Sequence, residues 1–432
     1  MQPLFDTLHA AAWDSLSSTV GLVLVGALLI QALIAIGRGL LRLHYDRRQQ
    51  CVALERLRLQ VQEIKLRCQT VEQGKLLWNG YRKFSVAKKA RECEDVCSFY
   101  LKPHDGKSLP PFKPGQYLTF QLDIPGRDKP LVRCYSISDS PHHSDYYRVT
   151  IKRLGPPPNK TETPPGLVSS HFHDRLQVSD IVDVKAPSGH FHLDVEHRGP
   201  VVLVGGGVGV TPVLSMLNHI ASAPGNREAW FFYGVRNSAD HLMKTYLKEL
   251  ASQHENIHLV VCYSDPRPED RVGEDYHYAE RVSVDLFKRL LGVNNFDFYV
   301  CGPPPMMESL TRDLGEWGVP EERIHFEAFG PASVKKVAQL TQPAAASLAS
   351  FEIQFARSGK KFLWSGAGSL LEFAEANGIR MESGCRAGSC GTCATALREG
   401  QVDYLRRPDF DIEKGTCLTC ISVPKGALSI DA

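Results

Sequence analysis

Apolar residues change their spacing several times along this 432-residue chain, and each change marks a different kind of element. Thr19–Gly37 is apolar apart from Thr19 and Gln31, close to the roughly 20 residues with which a helix crosses a bilayer. Asp6 and Asp14 precede it, no Lys or Arg does, and no small-x-small cleavage site accompanies it. The run therefore reads as an uncleaved anchor rather than a signal peptide, with a buried core helix as the alternative. Arg38, Arg42, Arg47 and Arg48 follow at once. By the positive-inside rule they put the catalytic part of a single-pass membrane protein on the cytoplasmic side.

Over Gln49–Gln73 the apolar positions are Leu54, Leu57, Val61, Ile64, Cys68 and Val71, stepping by three and four. That is a heptad seam of about two and a half repeats. It predicts either a stalk that pairs two copies through residues 49–73 or one amphipathic helix on the protein's own surface. From Tyr81 to Arg198 the pattern becomes short strands broken by Pro and Gly (YLTFQL, RCYSIS, YYRVTIK, IVDVKAP), which predicts an antiparallel β-barrel. From Gly199 to Gly330 strands alternate with helices: VVLVGG with PVLSMLNHI, WFFYGV with HLMKTYLKEL, DFYVCG with PMMESLTRDL. That is the pattern of a parallel α/β domain. Residues 331–349, rich in Ala, Ser, Gln and Pro, read as a linker, and 350–432 as a small α+β unit. The organisation expected is thus 1–18, an anchor over 19–37, a basic flank and stalk over 38–80, then domains over 81–198, 199–330 and 350–432.

With 50 basic and 48 acidic residues there is no net field to attract nucleic acid. Of the twelve cysteines, Cys385, Cys390, Cys393, Cys417 and Cys420 crowd into the last domain, while the others are scattered. This is no secreted disulfide framework; it indicates a reducing compartment and a metal site.

Cys385-Arg-Ala-Gly-Ser-Cys390-Gly-Thr-Cys393, with Cys420 following after 26 intervening residues, has the C-x4-C-x2-C…C spacing of plant-type [2Fe–2S] centres. Three thiolates on one loop wrap the irons and a fourth closes the site. Gly384, Gly388 and Gly391 let the loop turn and aim N–H groups at sulfur. Zinc is the competing reading, but it favours paired C-x2-C units. Cys417 also lies near the site, in Cys417-Leu-Thr-Cys420, and spacing alone does not separate it from Cys420. Resemblance to ferredoxins, where the last Cys of an LTC-like turn is the ligand, implies Cys420 and leaves Cys417 as a buried neighbour.

Arg133-Cys-Tyr135-Ser136, on an expected barrel strand, resembles the R-x-Y-S flavin motif of the ferredoxin–NADP reductase superfamily, and Gly166-Leu-Val168-Ser169-Ser170 its second flavin motif. From Pro114-Gly115-Gln116-Tyr117 through PPGLVSSHFHD the chain is most similar to the reductase half of flavohaemoglobins. The resemblance implies FAD, with Arg133 on the diphosphate, Tyr135 beside the isoalloxazine and Ser136 bonded to its ring. FMN, used in the same barrel by phthalate dioxygenase reductases, is the alternative. The residue types fit, since a guanidinium suits phosphate and an aromatic face suits a planar ring. Lys152, ending YYRVTIK, joins the cofactor-binding set.

Gly205-Gly206-Gly207-Val-Gly209-Val-Thr211-Pro212 follows VVLV and opens a helix, with Thr211 expected as N-cap and Pro212 at N1. Such a loop lets a dinucleotide pyrophosphate approach the backbone and the positive helix end. Its expected partner is Cys301-Gly302-Pro303 after DFYV. The resemblance implies Cys301 beside the hydride-transfer carbon, which makes Cys301 and Ser136 the catalytic candidates, and Phe329 over the flavin face. A core role is the alternative for Cys301. After Tyr263-Ser264, where NADP-specific relatives hold the 2′-phosphate, Asp265 would repel it, so NADH is expected over NADPH; Arg236 and Arg267 are the nearby cations.

Tyr81–Ala432 thus resembles oxygenase-reductase flavin–iron–sulfur proteins, ending in a β-grasp ferredoxin domain. A hydride would pass from NADH to flavin and single electrons onward through the cluster. The acceptor would be a separate protein, expected to be a membrane oxygenase, hydroxylase or desaturase, since the chain shows no haem ligand motif or oxygenase domain. A self-sufficient reductase of quinone, ferric or cytochrome acceptors and a non-enzymatic iron–sulfur sensor are the other classes.

Overall fold

The computed structural model describes residues 78–432 except 128, 157–161, 163, 328, 330–349, 365, 367, 406–407 and 409–411, together with 26, 29, 31–42, 44, 48–49, 54–58 and 60–61. Met1–Lys75 and Leu76–Ala432 form two units. In the first, residues 31–42 are helical, and Leu33, Ile36, Leu40 and Leu41 on them are exposed, as are Leu54, Leu57 and Val61 of the seam. Among the described residues no helix is long and apolar enough to cross a membrane, so the spanning helix expected over Thr19–Gly37 is not found there. Much of that run lies outside the described residues, as do Ile64, Cys68 and Val71 and the linker 331–349.

The second unit begins with strands β1 (Arg82–Cys93), β2 (Val96–Pro103), β3 (Tyr117–Leu122), β4 (Leu131–Ser136) and β5 (Tyr147–Lys152), helix α1 (Leu167–Asp174) and strand β6 (Ile181–Val184). The strands form one antiparallel sheet in the order β4-β3-β6-β1-β2-β5. A bridge between Ile137 and Val149 joins the two edge strands and closes the sheet into a barrel, which removes its open edges. Phe84, Phe99, Leu101, Phe120 and Val149 point inward and are fully buried, and Phe172 of α1 plugs one end against Phe99 and Phe120.

Next come β7 (Val201–Gly206), α2 (Val210–Ser222), β8 (Ala229–Val235), α3 (Lys244–Gln253), β9 (Ile257–Tyr263), α4 (Val284–Leu291), β10 (Asp297–Cys301), α5 (Pro304–Glu316) and β11 (Ile324–Glu327). Their sheet is parallel, in the order β11-β10-β7-β8-β9. Parallel strands are covered on both faces, so β7 is apolar without alternation. Its side chains still sort by period two. Val201 and Leu203 join one core with Leu214 and Leu217 of α2, while Val202 and Val204 join another with Leu286 and Phe287 of α4 and Leu310 of α5. Helix α3 starts later than the HLMKTYLKEL pattern predicts, because Met243 takes a left-handed conformation (φ 51°) and holds His241–Met243 in a turn.

The last domain contains β12 (Phe351–Phe355), β13 (Lys360–Trp364), α6 (Leu370–Ala376), β14 (Ala394–Glu399), β15 (Val402–Tyr404), β16 (Thr416–Leu418), β17 (Ser422–Pro424) and β18 (Leu428–Ile430). The main sheet runs β13-β12-β18-β14-β16, with β15 and β17 paired beside it. Ser369 and Glu372 cap α6 reciprocally, satisfying both an N-terminal donor and the cap's own N–H. Leu370 and Ala374 of this helix pack on Ile353, Phe355 and Ile430 of the sheet.

Candidate functional site

A cavity of about 410 Å³ opens beside β4. Pairing of β3 with β4 sets Arg133 opposite Phe120, Tyr135 opposite Leu118 and Ser136 opposite Tyr117, and all three R-x-Y-S residues reach the cavity wall. The Tyr135 ring is held edge-on by Phe120 and Phe172, with centroids at 5.8 and 5.3 Å, and burial pushes its hydroxyl well above the usual phenol range. It stays neutral. Arg133 donates from Nη1 to the Val132 and Gly384 carbonyls at 2.7 and 3.3 Å.

Gly166 caps α1 without a side-chain bond, so the first-turn N–H groups are available to an anion. Val168 is buried in the barrel core and can offer only backbone. The Ser169 hydroxyl accepts from Leu154 N–H at 3.1 Å and donates to the Gly166 carbonyl at 3.0 Å, so it shapes the loop first. The wall, with a guanidinium, an aromatic ring and a free helix N-terminus, fits a flavin diphosphate and ring.

A second cavity of about 670 Å³ lies over the C-terminal ends of β7 and β8, and Lys152 and Val208 wall both cavities. It sits where the chain order reverses between β7 and β10, the usual ligand position in an open parallel sheet. Gly206, Gly207 and Pro303 line it. A Cβ on Gly206 would stand 2.5 Å from Met306 Sδ and 2.8 Å from Pro303 Cδ, and one on Gly209 2.5 Å from the Cys301 carbonyl oxygen. Gly205 pairs with Cys301 across the sheet. The glycines are there for close approach of backbone, the feature a pyrophosphate needs.

One expectation is corrected here. Gly209, not Thr211, is the N-cap of α2, because a 3-10 turn over Gly207–Gly209 carries the chain into the helix one turn early. Thr211 lies inside the first turn with its hydroxyl on the Val208 carbonyl at 3.1 Å, and Pro212 stands at the third helical position. Cys301 is fully buried behind the glycine loop rather than in the wall of either cavity, and burial, with Glu327 beside it, pushes its thiol far up. Gly302 packs on Gly206. Phe329 is partly exposed at the flavin-side cavity, together with Thr211. Lys152 lies between the two cavities, paired with Asp95 at 3.0 Å and Asp240 at 3.6 Å.

In the last domain the cysteines stand as two pairs. Cys385 and Cys390 each donate a backbone N–H to the other's Sγ at 3.3 Å and their side chains interact, and Cys393 Sγ is 3.1 Å from Cys420 Sγ. Two thiolates for each of two irons is the division a [2Fe–2S] centre requires. Among the described residues no three His, Cys, Asp or Glu side chains gather as a single-ion site. The N–H groups of Ala387, Ser389 and Cys390 point at Cys385 Sγ from 3.3–3.4 Å. Arg386, Gly388 and Gly391 take positive φ to make that possible, and a Cβ on Gly388 would meet Ile421 Cδ1 at 2.4 Å. Cys417 is buried in the domain core against Leu370 and Ile430 rather than in the loop.

The cluster loop rests on the barrel. Cys385, Ala387 and Ser389 form part of the same cavity wall as Arg133, Tyr135 and Ser136. Tyr117 donates to the Ser389 carbonyl at 3.2 Å, Lys185 to the Cys390 carbonyl at 2.9 Å, and Val132 packs with Cys134, Cys385 and Cys390. In the sequence Tyr117 stands in the flavohaemoglobin-like stretch and opens YLTFQL, Lys185 ends a strand pattern in IVDVKAP, and Cys134 is the variable position of R-x-Y-S. No local pattern marks a residue as an interdomain contact.

Family models match three segments: an oxidoreductase FAD-binding domain over residues 83–193, an oxidoreductase NAD-binding domain over 203–312 and a 2Fe–2S iron–sulfur cluster binding domain over 354–425. A flavohaemoprotein of Halalkalibacterium halodurans is 40% identical over 255 residues, covering 59% of this chain and 61% of that protein. One from Bordetella pertussis is 37% identical over 257 residues, covering 60% and 62%. The chain thus spans about three fifths of the length of these relatives. The flavohaem-like FAD/NAD-binding domain of a nitric oxide dioxygenase from Vibrio cholerae O1 biovar El Tor is 32% identical with a TM-score of 0.52, covering 59% of this chain and all of that one. Phthalate dioxygenase reductase, whose structure is described as modular for electron transfer from pyridine nucleotides to [2Fe–2S], is 27% identical with a TM-score of 0.50, covering 82% and 98%. The three domains matched in this chain are ones that bind FAD, NAD and a [2Fe–2S] cluster, and the chain belongs to the ferredoxin–NADP reductase superfamily, with its 2Fe–2S domain after the NAD-binding one.

Proposed function

We propose that this protein is an NADH-driven reductase that delivers single electrons through its last domain to a separate acceptor protein. The observation that carries the reading is the common wall of the flavin-side cavity, built by R-x-Y-S residues and by Cys385, Ala387 and Ser389 of the cluster loop. A flavin held there would supply the conversion of a hydride's electron pair into single electrons that a one-electron iron–sulfur centre needs. Arg133 and the first-turn N–H groups of α1 would hold its diphosphate, and Tyr135 and Ser136 of the same wall would bear on its ring. The glycine loop and Pro303 take the dinucleotide, and Lys152 stands where the two cavities meet. Phe329, on the wall of the same cavity, would cover a ring bound there.

The preference for NADH is supported by the fate of the nearby cations. Arg236 lines the nucleotide-side cavity but is engaged by Asp240 at 2.7 Å, Arg267 pairs with Glu269 at 3.7 Å, and the acidic Asp265 directly follows Ser264 of the lining. The apolar run Thr19–Gly37 and the exposed leucines of residues 31–42 support a membrane anchor, with the catalytic unit on the cytoplasmic side. Exposed Leu54, Leu57 and Val61 support a paired stalk. A membrane-held reductase points to a membrane-bound oxygenase, hydroxylase or desaturase as acceptor.

The test is anaerobic reduction of the purified full chain. NADH should bleach the flavin and then raise the electron paramagnetic resonance signal of a reduced [2Fe–2S] centre, with kcat/KM for NADH above that for NADPH. A flavin reduced by NADH beside a centre that stays oxidised overturns the relay, and a protein that remains in the supernatant after membrane fractionation overturns the anchor.

A further inference from the structure

The loop that carries Cys385 and Cys390 is approached by cations belonging to another domain. Lys185, directly after β6 of the barrel, donates from Nζ to the Cys390 carbonyl at 2.9 Å in a part-buried contact, and its ammonium lies 5.2 Å from the centroid of the Tyr81 ring. Arg133 reaches the Gly384 carbonyl from the same side. The last domain's own cation on this loop, Arg386, is held by Glu375 and the Ser383 hydroxyl, on the side where it acts on Cys420. Positive charge at the Cys385–Cys390 half of the centre therefore comes from the barrel.

On taking up one electron an iron–sulfur centre becomes more negative by one unit. A cation a few ångströms away, in a contact partly shielded from water, favours that form. We propose that the Lys185 ammonium sets the partition of the electron between flavin and centre, raising the centre's reduction potential while the last domain rests on the barrel. One electron moves from the reduced flavin to the centre and later from the centre to the acceptor, and no bond is made or broken. The inference rests on the relay proposed above.

The test is a potentiometric titration of the full chain, following the centre by paramagnetic resonance and the flavin by absorbance, for wild type, Lys185→Met and Lys185→Arg. Removing the charge is expected to shift the partition toward flavin by about tenfold, or about 59 mV for a one-electron couple, with the flavin potential unchanged. Lys185→Arg, which keeps charge and donor, should restore most of the shift. A centre of unchanged potential in Lys185→Met, or an equal fall in both variants, overturns the role of the charge while leaving the relay intact. Absence of any [2Fe–2S] signal in wild type overturns both.

Discussion

Gly209 lies so close to Cys301 that a Cβ on the glycine would stand 2.5 Å from the cysteine's carbonyl oxygen and 2.7 Å from its carbonyl carbon. Both partners are backbone, and neither can swing away. Gly209→Ala is therefore expected to destabilise the nucleotide domain by about 1–3 kcal/mol and to displace the loop from the end of β10. The check is a denaturant midpoint together with KM for NADH, which should rise severalfold; an unchanged KM with an unchanged midpoint contradicts the packing described.

Cys420 pairs with Cys393, whereas Cys417 packs into the core of the last domain. Cys420→Ser should yield protein with flavin but without the paramagnetic signal of a reduced [2Fe–2S] centre, and cytochrome c reduction should fail with it. Cys417→Ser should keep the signal and lose only modest stability. Iron and acid-labile sulfide counts on the two variants decide between them.

Tyr117 and Ser389 are 272 positions apart in the chain and joined by one 3.2 Å bond. Tyr117→Phe removes a donor that helps seat the cluster loop on the barrel. Stopped-flow traces are expected to show flavin reduction by NADH at the wild-type rate, with transfer to the centre slowed severalfold. Slowing of the hydride step instead would place Tyr117 in nucleotide binding.

His241 is buried behind β8, with Nδ1 2.9 Å from the Tyr263 hydroxyl and Nε2 lacking a hydrogen-bond partner. Burial first, then Lys244 and Lys248, lowers its pKa to about 4 from the ordinary 6.5. The unfolded chain thus binds the proton more readily between these values. The neutral ring's contribution is fully present above about pH 6.5 and is lost as pH falls toward 4, by at most about 3 kcal/mol. Urea midpoints from pH 7.5 to 4.5 should fall, and His241→Gln should flatten that slope.

What could be read from the chain alone was chemistry carried by neighbours in sequence. The C-x4-C-x2-C spacing, the glycines after VVLV, R-C-Y-S and the change of apolar period each act over a few residues, where covalent connection already sets which groups can meet. The choice of Cys420 over Cys417 depended on which strand end faces Cys393, and the cap of α2 moved from Thr211 to Gly209 because a 3-10 turn, invisible to a spacing rule, precedes the helix. The burial of Cys301 was equally beyond reach, since only the packing of β10 against the glycine loop decides what covers it. Lys185 and Cys390 are 205 positions apart, and their contact exists because the barrel and the last domain pack against one another. Such contacts depend on the sum of many weak long-range terms, for which no short stretch of sequence carries a mark.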